Sequence, residues 1–275
     1  MVYPEYVRVQ RVLRNTLIVV VAGTLIALIV LALTHSNWGS VSFNDGPSVR
    51  IGDHLKSAHR VSLYEAMVLQ NVHIPLAALI GLGGVFAAII ATVLGTSLHR
   101  ENETLPSIWT KPAPRYQIAL AYAGVDALGI LAAGLIAVAI GALTIILFLG
   151  VVSRLTFGEG ALEVFLLVTG FALATYGTIA ALTSWSRRGG GVVAGLFWPI
   201  GFVIYGLSAV GMPSAIHACI VALNFLNPIA YLGTISNKGS ASLLPLALSV
   251  RIELVWVLAI ATTALSIYLW QRREV

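Results

Sequence analysis

The sequence has little charge and almost no cysteine. Asp, Glu, Lys and Arg make up only 10% of its 275 residues, whereas soluble domains have about 25%. One cysteine, Cys219, excludes an intramolecular disulfide and any multi-cysteine metal site. The patterns G-x-x-x-x-G-K-[ST], H-E-x-x-H and G-x-S-x-G are all missing. We therefore expect no catalytic residue, no bound metal and no cofactor in this chain.

Apolar residues dominate what is there. They make up 58% of the chain, and the mean hydropathy is +0.92. An α-helix needs about 20 apolar residues to cross the hydrocarbon core of a bilayer. The sequence therefore predicts an all-α polytopic membrane protein, a single transmembrane domain over 1–275. Its six predicted spans are 16–34, 66–98, 116–150, 161–185, 191–211 and 252–270.

Residues 2–14, before the first span, carry Arg8, Arg11 and Arg14 at intervals of three, so these side chains share one helical face. This pattern predicts an amphipathic interface helix on the inner leaflet. The alternative is a plain basic flank that anchors the first span.

The residues at the start of the second span both favour and oppose a helix. Ser62 and Glu65 fit a capping box, and Pro75 should kink or interrupt the helix. Asn71 and His73 lie near its outer end, either facing a substrate path or forming hydrogen bonds near the headgroups. The preceding outer loop, 35–61, contains Asp53, His54 and His59, but we expect no metal site there because such sites usually need three or four ligands with defined geometry.

Residues 212–250 allow two interpretations. Taking 214–233 as a span would give seven spans and would place the C-terminal Arg272 and Arg273 outside, against the positive-inside bias. A re-entrant pair of short outer helices between spans 5 and 6 keeps six spans. In that layout ten of the sixteen Lys and Arg residues lie inside. We therefore predict a cytoplasmic (inner) membrane protein with both termini cytoplasmic.

A densely polar run, 98–116, joins the second and third predicted spans. Pro106 is tolerated in a first helical turn, whereas Pro112 and Pro114 end a helix, so we predict a short helix within 101–115. Ile108 and Trp109 give this helix an apolar patch rimmed by charge, which is typical of a docking surface. The alternative is a loop on the lipid surface, with Trp109 in the aromatic belt.

This run resembles the coupling helix of ABC-2 type permeases, the membrane subunits of ATP-binding-cassette exporters. An acidic residue, a Thr-Leu pair and T-K-P-x-x-R match at Glu101, Thr104, Leu105, Thr110, Lys111, Pro112 and Arg115. Glu103 and Pro106 stand where the family usually has Gly and Glu. The resemblance implies a non-enzymatic permease subunit that moves a small or amphiphilic substrate. It also implies a dimer of ATPase subunits, which bind ATP and Mg and contact 101–115, and a second permease copy, either identical or related.

Asp126 is the only charge inside the third predicted span. A helix that begins near Arg115 puts it about 16 Å along the axis, near the bilayer midplane. Such a group faces a substrate path, a subunit contact or a structural partner. A later helix start would instead leave it near the inner interface.

Two functions from other classes stay open, namely a non-transporting anchor for a cytosolic partner and an ion-coupled transporter centred on Asp126. Membrane lipid is an expected partner and nucleic acid is not.

Overall fold

A computed structural model describes about three fifths of the chain, chiefly its helical core. The described residues are 7, 9–15, 18, 74–97, 115–149, 155–156, 160–186, 190–207, 213–232 and 246–272. The first predicted span, 16–34, therefore lies outside them except for Ile18. The loop 35–61 also lies outside, with Asp53, His54 and His59.

The described part is helical apart from two strands of two residues each and a few residues in turns or links. Helices α1 and α2 are Leu76–Ser97 and Arg115–Leu149. Helices α3 and α4 are Ala161–Ser186 and Gly190–Leu207. Two short helices follow, α5 at Ser214–Phe225 and α6 at Ile229–Leu232, before the last long helix, α7, at Leu248–Gln271. Strand β1, Ile74–Pro75, pairs in parallel with strand β2, Leu155–Thr156.

Five of these helices are long and apolar enough to cross a membrane, namely α1, α2, α3, α4 and α7. They confirm the prediction of a helical, multi-pass membrane protein. The count of six spans stays a prediction, because 16–34, the first predicted span, lies outside the described residues except for Ile18.

The start of α1 differs from the predicted span over 66–98. The helix begins at Leu76, and the two residues before it belong to β1. Pro75 has no N–H for a helical hydrogen bond, and its ring clashes with the preceding turn of a helix. The described helix therefore starts immediately after the proline instead of continuing through it.

Helix α3 lies at the centre of the bundle. In its spanning window 67% of the residues are buried, against 11% in α4. It packs along α1 and α7, and glycines mark the closest approaches. A Cβ on Gly95 would lie 3.2 Å from Ile179 Cγ2, and one on Gly170 would lie 2.7 Å from Val255 Cγ1. Small residues allow helix backbones to come this close. Such packing is important in lipid, where the hydrophobic effect does not drive helices together.

The contacts between helices fix their relative directions. Along α3 and α7, Gly170 faces Val255 and Gly177 faces Thr263, so these two helices run parallel. Along α1 and α3, Gly84 contacts Val168 and Gly95 contacts Ile179, so α1 is parallel to both. The C-terminal ends of α1, α3 and α7 consequently lie on one side of the bundle.

Helices α2 and α4 run the opposite way. Gly141 faces Leu79 whereas Gly129 faces Leu94, so α2 is antiparallel to α1. Gly190 contacts Thr96, and the Trp198 indole N–H donates to the Thr92 hydroxyl at 3.2 Å, so α4 is also antiparallel to α1. Helix α4 continues through Pro199.

Hydrogen bonds of two asparagines attach the short helices α5 and α6 to α4. The Asn227 amide donates to Gly201 O at 2.9 Å and to Asn224 Oδ1 at 3.2 Å, while Asn227 Oδ1 accepts from the Ile229 N–H. Asn224 donates to Ile204 O at 3.3 Å. Both side chains are buried, and their bonds satisfy polar groups that burial would otherwise leave unpaired.

Candidate functional site

Most of the predicted coupling residues fall outside the described residues. These are Glu101, Glu103, Thr104, Leu105, Ile108, Trp109, Lys111 and Pro112. Arg115 is the first residue of α2. Asn71 and His73 also lie outside, so their proposed place on a substrate path stays a prediction.

Asp126 is described, and it is completely buried in the bundle. The hydroxyl of Tyr176, which is 2% exposed, donates a hydrogen bond to Asp126 Oδ2 at 2.8 Å. Asp126 belongs to α2 and Tyr176 to α3. The carboxyl that the sequence singled out therefore joins the central helix to its neighbour.

The position of Asp126 follows from where α2 begins. The helix starts at Arg115, as the deeper of the two predicted placements requires, so Asp126 lies about 16 Å along its axis. In the first two turns of α2, Ile118 and Tyr122 form a buried cluster with Trp270 near the end of α7. Asp126 is one turn further into the bundle than this cluster, where an ionisable side chain is costly unless it has a partner.

Threonine and tryptophan side chains make further polar contacts near the Asp126–Tyr176 pair. The Thr183 hydroxyl donates to Gly95 O at 3.2 Å and links α3 to α1, while Thr92 accepts from Trp198 of α4. Thr175, next to Tyr176 in sequence, has a buried hydroxyl with no hydrogen-bond partner in the described part of the chain. The central helix thus carries polar groups within an otherwise apolar core.

The N-terminal stretch 9–15 is helical and reaches the same region. Val9 is buried in the main core and contacts the position of Gly129, one turn from Asp126. Val12 and Leu13 pack against that core, whereas Arg11 and Arg14 are exposed. In the part of the predicted 2–14 interface helix that is described, the apolar side therefore contacts protein and the arginines point outward.

Neither Tyr176 nor the contact between Asn224 and Asn227 could be selected from the sequence. Tyr176 is fifty positions from its partner in the chain, and tyrosine is common in membrane helices for other reasons. Asn224 and Asn227 stood out only as polar residues in an apolar stretch. Their three-residue spacing in a predicted helical segment was the available signal for their contact.

Comparison with known proteins adds no identification. No family model, no curated protein and no solved structure matches this chain.

Proposed function

We propose that the chain is the permease subunit of an ATP-driven exporter of the ABC-2 type, working with a second permease copy and a separate ATPase dimer. The observation that carries the proposal is the common direction of α1, α3 and α7. Their C-terminal ends lie on one side of the bundle. Basic residues follow each of these ends in the sequence, including Arg100, Arg187 and Arg272. By the positive-inside rule that side is cytoplasmic.

This orientation places the link between α1 and α2 where an ATPase could reach it. Residues 98–114 connect the end of α1 to the start of α2 on the proposed cytoplasmic side. The apolar Ile108 and Trp109 among charged residues suit docking to a protein groove. ATP-driven closure of two such grooves would move α1 and α2 as levers, because both are long helices packed closely together.

The directions of α3 and α7 also support six spans rather than seven. Between them α4 runs the opposite way, so one further complete crossing at 214–233 would reverse α7 relative to α3. Helix α5 has 12 residues, about 18 Å at 1.5 Å per residue, which is too short for the hydrocarbon core. We infer that α5 and α6 form the re-entrant outer pair, held on α4 by Asn224 and Asn227.

A paired substitution in the docking segment tests the proposal. We expect Glu101→Ala with Trp109→Ala to lower the affinity for the ATPase about 30-fold, since a buried interface tryptophan contributes roughly 2 kcal/mol or more. The measurement is co-purification of the full chain with a Walker-motif ATPase encoded beside it. Trp185→Ala is the matched control, because Trp185 is 74% exposed on the same side of the bundle. Equal recovery of the ATPase with the paired variant would contradict the proposal.

The buried Asp126–Tyr176 pair favours a second candidate, an ion-coupled transporter. The pair lies deep among helices long and apolar enough to span a membrane, and an ionisable side chain at such a place is often part of an ion pathway. Proton-dependent uptake by the isolated chain in vesicles, without any ATPase, would favour this function over the first. Uptake only when the ATPase and ATP are supplied would exclude it.

A further inference from the structure

The first turn of α7 has backbone donors that no capping side chain satisfies. The residue before the helix, Ala247, makes no side-chain hydrogen bond, and no acidic residue lies in the first turn. The first N–H groups of any helix lack an intrahelical acceptor, and the helix dipole adds partial positive charge there. This end of α7 therefore attracts negative charge.

Arg251 brings a full positive charge to the same place. It lies in the first full turn of α7 and is only 8% exposed. Its Nε and Nη1 atoms are buried and have no hydrogen-bond partner within the described ranges. Helical side chains lean toward the N-terminus of their helix, which is the direction of the uncapped N–H groups from Arg251. A buried charge without a partner costs several kcal/mol, which an oxyanion bound to it would offset.

The acidic residues nearest in sequence and in the neighbouring helix do not fill this role. Glu253 is exposed and lies two positions along α7, which places it on a different face from Arg251. Glu163 lies in the first turn of α3, where its Oε2 is 3.8 Å from the position of a Cβ on Gly160, so its carboxylate lies over the start of its own helix. Neither carboxylate is a partner of Arg251 Nε or Nη1.

We infer that Arg251 and the first turn of α7 form a binding site for a phosphate group. Guanidinium N–H groups can form charge-assisted hydrogen bonds to phosphate oxygens, and helix N–H groups can bind a further oxygen. The site lies at the end of the bundle opposite 98–114, so it is separate from the proposed ATPase contact. The phosphate can belong to a lipid headgroup or be free in solution, since both present the same oxygens.

The test uses the purified full chain, delipidated in a non-ionic detergent. Three probes are added separately: inorganic phosphate, dioleoyl phosphatidylglycerol, and a galactosyl diacylglycerol that lacks phosphate. Native mass spectrometry and the thermal unfolding midpoint report binding. We expect phosphatidylglycerol to bind Arg251→Gln about tenfold or more weakly than wild type, because a charge-assisted contact is lost. Arg272→Gln, at the opposite and exposed end of α7, is the matched control and should bind as wild type does.

Each outcome decides the inference. Arg251-dependent binding of phosphatidylglycerol alone assigns the site to a lipid headgroup, and Arg251-dependent binding of inorganic phosphate as well assigns it to free phosphate. Binding that Arg251→Gln leaves unchanged, equal binding of the galactolipid, or no binding of either phosphate probe would overturn it. Without any probe, Arg251→Gln should unfold at the same temperature as wild type or higher, because it removes an unpaired charge. Should Arg251→Gln fail to fold, Arg251→Lys replaces it. We expect this variant to bind phosphatidylglycerol more weakly than wild type does.

Discussion

Replacing Gly177 with leucine should destabilise the protein by about 3 kcal/mol, because it forces apart the two helices at the centre of the bundle. A Cβ at Gly177 would overlap the Thr262 hydroxyl and would lie 2.8 Å from the backbone nitrogen of Thr263. Backbone atoms cannot move aside as a flexible side chain can, so α3 and α7 would have to separate. The free energy of unfolding, measured by SDS titration in mixed micelles, checks this expectation.

Gly195→Leu is the matched control for this substitution. Gly195 lies in α4 with nothing within 4 Å of its Cβ position among the described residues, and it is exposed. Leucine also has a better helix propensity than glycine, by up to about 1 kcal/mol. We therefore expect no loss of stability at Gly195. A similar loss at both positions would mean that the described α3–α7 contact is wrong.

Tyr176→Phe should cost about 2 kcal/mol, since it removes the hydroxyl that donates to a fully buried carboxyl. Asp126→Asn keeps an oxygen acceptor and should cost less. The two effects should not add, and a double-mutant cycle in the same mixed micelles should give a coupling energy of about 1–2 kcal/mol.

Tyr205→Phe serves as the comparison, because Tyr205 is only half-buried on α4. It should lose less stability than Tyr176→Phe, and it should show no coupling to Asp126→Asn. Additive effects of Asp126→Asn and Tyr176→Phe would contradict a direct contact between these two side chains.

The positions of most helices could be read from the sequence because charges and turn residues bound long uncharged runs. The predicted span over 161–185 compares with α3 at Ala161–Ser186, and the span over 116–150 compares with α2 at Arg115–Leu149. Helix α4 ends at Leu207, and the rest of the predicted span 191–211 is not described. The last span, predicted over 252–270, is longer in the structure, where α7 covers Leu248–Gln271. Arg251 lies one residue before the predicted span, yet it is buried inside the helix.

The arrangement of the helices could not be predicted in the same way. In water an amphipathic pattern shows which face of a helix is buried, but in a membrane both faces are apolar. Helix α3 is the most buried of the five spanning helices, yet its overall hydropathy is close to that of the exposed α4. Contacts such as Gly177 with Thr263 depend on the register between helices that are distant in sequence.

The candidate site was predictable only in part. Asp126 stood out because a single charge in a long apolar run is costly, but its partner did not. The docking segment was selected by its polarity and by a family resemblance, and its structure is not among the described residues. The orientation of the bundle is therefore the step on which the proposed function depends.

Chemical labelling of single cysteines measures that orientation directly. In a Cys219→Ser background, one variant carries Ser107→Cys in the docking segment and another carries Ser214→Cys at the start of α5. A membrane-impermeant maleimide is added to intact cells and to lysed cells. The account predicts that Cys at position 214 reacts in intact cells, whereas Cys at position 107 reacts only after lysis. Reaction of position 107 in intact cells would place the docking segment outside and contradict the account.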